Sequence, residues 1–313
     1  EADTTYEIEE GYRAEAHILG FPAFANTDDK RYIEKKAKIM IFNHNVTYTN
    51  DWNFLSNVIA YCNENRFKLV ILAPYFDEMI TNWYSRNVQK TQQQGTVPLI
   101  VFCQVPATTA LQKLALTDLE MLTNASIVDA EKITMFDNLV EYQKDPEHGH
   151  GNLEIAKMAE SLYGHPQAII ESAICTAGRL EFTEKSLFLM EYEEYANMKN
   201  LAQAQADAKE NWETMRKKMN RVASGNLNKD YMTAHQRYVR LMGKMGSIIV
   251  GGVNDLQKVC DKDAIDDACL ACRSAWDAGY ISGMNLDTIR SIKYLIKNFA
   301  TMEVTRTKST PDS

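Results

Sequence analysis

Nowhere in the 313 residues do eighteen apolar residues follow one another, so no segment is suited to cross a bilayer as a helix. Basic residues are in deficit as well, with 34 Lys and Arg against 42 Asp and Glu for a net charge of -8. A nucleic-acid phosphate backbone needs a basic field. Neither a membrane nor a nucleic acid is therefore expected as a partner. The chain starts at Glu1 rather than Met and shows no charged-then-apolar leader, so a piece of a longer cytoplasmic polypeptide is expected. Cysteine is scarce, and Cys62, Cys103, Cys175, Cys260, Cys269 and Cys272 fall mostly within apolar patterns, as reduced core thiols do. Cys269 and Cys272 form a lone CxxC, whereas a zinc site usually draws on a second pair or on histidines. Core packing is the expectation for both. His148 and His150, in the polar loop 144–152, lack a third ligand nearby, so no metal site is expected.

What the chain does contain is an ordinary globular composition, 45% hydrophobic and 24% charged, with length for two domains. Its organising unit lies between Lys38 and Val105. The runs KIMIF (38–42), FKLVILA (67–73) and VPLIVFC (97–103) are short and continuously apolar, as strands covered on both faces should be. Two helical patterns separate them. From about Asn50 to Cys62, Trp52, Leu55, Ile59 and Cys62 share one stripe, with Phe54, Val58 and Tyr61 beside it. From Asp77 to about Gln89, Met79 and Trp83 share one stripe, with Ile80, Tyr84 and Val88 on the next. One apolar stripe seats a helix on a sheet. The second, repeated on two successive helices, suggests a groove open to an apolar partner.

Around this unit, residues 1–10 read as acidic and weakly structured, and the stretch from Gly11-Tyr12 to Phe24 as irregular. A helix is expected from Ala110 to Leu122 and strands at 126–128, 168–174, 179–182 and 186–190, giving one parallel or mixed sheet layered with helices. Residues 192–242 carry two long helical patterns separated by Ser224-Gly225-Asn226, a helical hairpin. Gly243, Gly246, Gly251 and Gly252 bracket a strand at 247–250, an arrangement suited to a hinge. A helix at 261–278 stops at Gly279, and another spans 286–299. None of the three central strands runs into a glycine-rich phosphate turn, so a small-molecule enzyme built on this unit is the weakest reading.

Several segments, taken in order, resemble the GroEL-type (group I) chaperonin subunit, in a divergent form similar to phage-encoded chaperonins. They are Gly11-Tyr12, KIMIFNHNVT (38–47), FKLVILA (67–73), LTDLEMLTNASIV (116–128), GSIIVGG (246–252) and DAIDDACLACRSAWDAGYISGM (263–284). The resemblance implies an α/β fold: an apical-domain sheet layered with helices, a helical hairpin and a small α+β intermediate domain. Its bounds would be 1–243 for a polypeptide-binding apical domain, 244–278 for the C-terminal half of the intermediate domain, and 279–313 for the start of the equatorial domain. The implied function is capture of unfolded or misfolded polypeptide by a homo-oligomeric ring in an ATP-driven cycle, in the cytoplasm (the host's, if phage-encoded), with a co-chaperonin lid as a partner the family allows.

Carried over position by position, the polypeptide-binding residues are Tyr12, Leu55, Val58, Ile80 and Tyr84. Asp267 matches the carboxylate that orients the water attacking ATP, a task for a hydrogen-bond acceptor. Gly279 matches the lower hinge, Gly243 and Gly246 the upper one, and Gly283 one of three consecutive nucleotide-contacting glycines, which read Gly283-Met284-Asn285 here. The family's phosphate loop and its Mg²⁺-binding aspartate are not among these residues. ATP and Mg²⁺ are thus expected of the complete subunit, an ATPase, and little or no hydrolysis of this chain alone. A non-hydrolysing scaffold or holdase of the same fold is the alternative.

Overall fold

The computed structural model describes residues 3–27, 30–145, 151–196, 198–219, 225–280 and 286–302. In chain order the elements are β1 (Thr5–Glu15), β2 (His17–Ile18), a 3-10 turn (Phe21–Ala23), β3 (Tyr32–Glu34), β4 (Lys38–Ile41), α1 (Tyr48–Asn65), β5 (Leu69–Ala73), α2 (Glu78–Gln93) and β6 (Ile100–Gln104). Then follow α3 (Ala110–Thr123), α4 (Ala130–Lys144), α5 (Leu153–Tyr163), α6 (Pro166–Ala173), β7 (Cys175–Thr176), β8 (Arg179–Phe182) and β9 (Ser186–Met190). The hairpin helices α7 (Met198–Met219) and α8 (Gly225–Leu241), the strand β10 (Lys244–Ile249), α9 (Asp255–Ala278) and α10 (Leu286–Met302) complete it. The α/β class expected from the sequence is the one observed. Two compact units divide the chain, residues 8–246 and residues 1–7 with 247–313.

The three apolar runs form the middle of one sheet, ordered β2-β6-β5-β4-β7, with β4, β5 and β6 parallel. Ile39, Ile41, Leu69, Ile71, Leu72 and Phe102 are fully buried, because crossover helices cover both faces of a parallel sheet. The short edge strands β2 and β7 run antiparallel to it. A single sheet was expected, but the chain builds a second one, ordered β10-β1-β9-β8-β3.

That second sheet corrects the reading of the N-terminus, which is strand from Thr5 rather than weakly structured. Gly11 to Glu15 pair antiparallel with Ser186 to Met190. A strand whose partner lies so far along the chain has no local apolar run to announce it. Residues 168–174, expected as a strand, are mostly the helix α6. Pro166 occupies its first turn and the His165 side chain accepts the Ala168 N–H at 3.1 Å, start signals that outweigh the β-branched pair Ile169-Ile170. The expected strand at 126–128 is reduced to one parallel bridge from Val128 to Phe42.

Within the second unit, Asn254 caps α9 by accepting the Gln257 N–H at 2.8 Å. Cys260, Cys269 and Cys272 are exposed along that helix, so the expectation of core packing for the CxxC pair is corrected. Cys62 and Cys103 do lie in the core, and burial pushes the Cys62 thiol up to about 12. Gly279 ends α9 with φ 78 and its N–H on Ala275 O at 2.8 Å. Gly243 also has positive φ, at 68, and a Cβ there would stand 2.5 Å from the Tyr192 hydroxyl. Gly246 is the last residue of the first unit.

Candidate functional site

Both helices that carry the double stripes begin at the carboxyl edge of the parallel strands. A parallel bridge between Val46 and Phe76 stitches the two connecting loops together. The Asp77 carboxylate then serves both helix starts, accepting the Ile80 N–H of α2 at 2.8 Å and the Tyr48 N–H of α1 at 2.5 Å. A carboxylate there satisfies otherwise orphaned donors and meets the positive ends of two helix dipoles. Asp51, buried in the first turn of α1, accepts from Thr47 N–H at 2.6 Å and lies 3.0 Å from His44 Nε2. The first turns of the two helices are therefore held in one rigid arrangement.

The stripes divide differently from the sequence expectation. Leu55, Val58 and Ile80 are 0% exposed and Tyr84 3%, so these four do not line an open groove. They face the sheet with Phe54, Cys62 and Val88, also buried. Tyr84 shows why: its ring stacks on Phe102 at 4.4 Å and its hydroxyl donates to Ile100 O at 3.0 Å. Residues 3 and 4 apart cover one helix face, and the sheet claims that face first because burying it removes the most apolar area from water.

Tyr12 is likewise a core residue, at 1% exposure. Its hydroxyl donates to Asp118 Oδ2 at 3.2 Å, and Arg237 of α8 donates to Asp118 Oδ1 at 2.9 Å. One buried carboxylate thus links β1, α3 and the helical hairpin. Burial raises the Asp118 pKa, and the opposing pull of Arg237 does not cancel it. A raised folded-state pKa means that the folded chain takes up this proton before the unfolded chain does. The residue's own contribution to stability therefore grows as pH falls through that raised value towards 3.8. Denaturant unfolding should show the wild type gaining on Asp118→Asn as pH falls from neutral towards the ordinary carboxylate range. Asp118→Ala, which strands Arg237 and Tyr12 without a partner, should cost about 3 kcal/mol at neutral pH.

The flanking stripe remains accessible. Trp52 stacks on Tyr48, centroids 5.0 Å apart and planes at 27°. Trp83 of α2 meets Trp52 edge to face at 4.9 Å. Trp52 and Trp83 are half-buried, while Tyr48 is 36%, Tyr75 46% and Met79 58% exposed. Met79 precedes Trp83 by one helical turn, so the two share a face. The result is a partly exposed aromatic cluster on two helix N-terminal halves, whose first turns are joined through Asp77. The sequence reading placed Trp52, Met79 and Trp83 on stripes but passed over Tyr48, for which the tertiary stitching at Val46–Phe76 was the missing signal.

Asp267 is exposed on α9, as is Asp266 beside it. Among the described residues, no three His, Cys, Asp or Glu side chains gather as a metal site. Gly283, His148 and His150 lie outside the described residues.

No protein-family profile and no curated protein matches the sequence. Solved structures do match in fold. Two crystal forms of the chaperonin gp146 from the bacteriophage EL 2 (Pseudomonas aeruginosa), both in the presence of ATP-BeFx, align with TM-scores of 0.53 and 0.51 at 14% and 15% identity. Each alignment covers 95% of this chain and 48% of gp146, so the chain spans about half the length of that protein. The fold is chaperonin-like.

Proposed function

We propose that this chain is the polypeptide-capturing part of a chaperonin subunit. The observation that carries the reading is the cluster of Tyr48, Trp52, Trp83 and Met79, where large apolar side chains at two helix starts stay partly open to solvent. Unfolded chains offer apolar side chains without fixed shape, and a surface of aromatic rings and methionine adapts to many such partners. The likeness to gp146 supports it at the level of fold. In this reading residues 1–243 are an apical domain, 244–278 part of an intermediate domain and 279–313 the start of an equatorial domain. The group I relationship, a phage origin, the ring, the lid and the cytoplasmic setting belong to the same proposal.

Light scattering from a chemically unfolded client diluted into buffer tests the capture step. The chain should suppress aggregation in proportion to its concentration, and an unchanged aggregation curve would refute capture. ATP and Mg²⁺ enter through the complete subunit, since gp146 was crystallised with ATP-BeFx. In this reading Asp267, exposed on α9, orients the attacking water once α9 is carried to the nucleotide. In the full-length subunit Asp267→Ala should lower ATP turnover by about a hundredfold. Turnover near the wild-type rate would remove Asp267 from the mechanism. The altered run Gly283-Met284-Asn285 favours a second reading, a holdase that does not hydrolyse ATP, and capture that is identical with and without ATP would select it.

A further inference from the structure

The chain changes sheets at Ala16, leaving β1 of one and entering β2 of the other, and the two sheets part there. The gap is the largest cavity described, about 1280 Å³, between the 3-10 turn on one side and the β8–β9 turn on the other. Its lining shares no residue with the aromatic cluster. Its floor is apolar, formed by Ala16, Ile18, Phe21 and Pro106. Arg13, His17, Lys30 and Lys185 stand round it, against Glu15 and Glu184. Arg31 also lines it but is tied to the buried Glu181. With His17 left out of the count, the three cations Arg13, Lys30 and Lys185 face the two carboxylates Glu15 and Glu184 at the opening, an excess of positive charge on a chain whose net charge is -8.

Arg13 is also pre-set. Its guanidinium donates to Ser186 Oγ at 3.2 Å and lies 5.4 Å from the Phe188 ring centroid. The Ser186 contact uses one of five N–H donors, and the planar fork suits a carboxylate. The volume exceeds the roughly 300–1,000 Å³ of small-molecule pockets. A strand end at one wall and a hairpin turn at the other make it a trough rather than a closed chamber.

We propose that this trough binds an extended acidic peptide segment whose alternate residues are apolar. Alternate side chains of an extended chain point to opposite sides, so the apolar set would reach Phe21 and Pro106, both partly exposed, while the carboxylates meet Arg13 and Lys185. The inference stands apart from client capture, because Trp52 and Trp83 take no part in it.

Fluorescence anisotropy with two labelled peptides, one alternating Glu with Leu and the other Lys with Leu, tests this. The Glu peptide should bind, bind more weakly in high salt, and lose about tenfold in affinity on Arg13→Glu with Lys185→Glu. Both side chains are exposed, and Lys185→Glu alone guards against a folding defect in the pair. Binding should be unchanged in Trp52→Ala with Trp83→Ala. Equal binding of both peptides, indifference to the Arg13 and Lys185 changes, loss of binding in the tryptophan variant, or binding of laurate in place of peptide would each overturn the proposal.

Discussion

Trp52→Ala combined with Trp83→Ala is expected to weaken capture of an unfolded client by about thirtyfold, since truncating an aromatic anchor at a binding centre costs about 2 kcal/mol. The two rings meet edge to face at 4.9 Å and Trp52 also carries Tyr48, so the substitutions dismantle the cluster together. Half-burial gives the tryptophans some share in stability as well. Two controls separate the effects. Met79→Ala, at a residue 58% exposed, should weaken capture while leaving the unfolding midpoint unchanged. The double change to phenylalanine should retain most of the capture. Wild-type affinity in the double alanine variant, measured on folded protein, would remove the aromatic cluster from the function.

Leu55→Ala should cost about 2–5 kcal/mol of folding stability. This side chain is 0% exposed and packs in the core with Phe54 and Val58, so its removal opens a cavity against the sheet. Had Leu55 lined a binding groove, the same change would weaken client binding and barely move the unfolding transition. Chemical denaturation therefore decides between the two placements. A loss of stability below about 0.5 kcal/mol, the size typical of surface substitutions, would return Leu55 to the surface.

The contrast between Leu55 and Trp52 explains how far the site was legible. Both are apolar residues of one helix, three positions apart, and the sequence pattern assigned them to one stripe. About 60° of rotation separates them at 100° per residue. Pattern alone states that more of the helix is apolar than one sheet face needs, and it does so correctly for both helices. Which part the sheet takes depends on the crossing geometry of helix and sheet. Carrying family positions onto Leu55, Val58, Ile80 and Tyr84 selected the covered part. The two sheets show a similar division. KIMIF, FKLVILA and VPLIVFC are continuous apolar runs and announce themselves, whereas β1 alternates acids with Tyr6 and Ile8 and waits for β9 to define it.

Local order was thus written in the chain itself: apolar runs for buried parallel strands, stripes at helical spacing and Gly279 to stop a helix. Those features act over a few residues, where backbone geometry and side-chain spacing leave little choice. Long-range contacts decided the rest. They brought Tyr12, Asp118 and Arg237 together in the interior, joined two helix starts through Asp77, and turned Trp52 and Trp83 towards solvent instead of Leu55 and Ile80. Burial is a property of what packs against a side chain, and residues distant in sequence supply that packing.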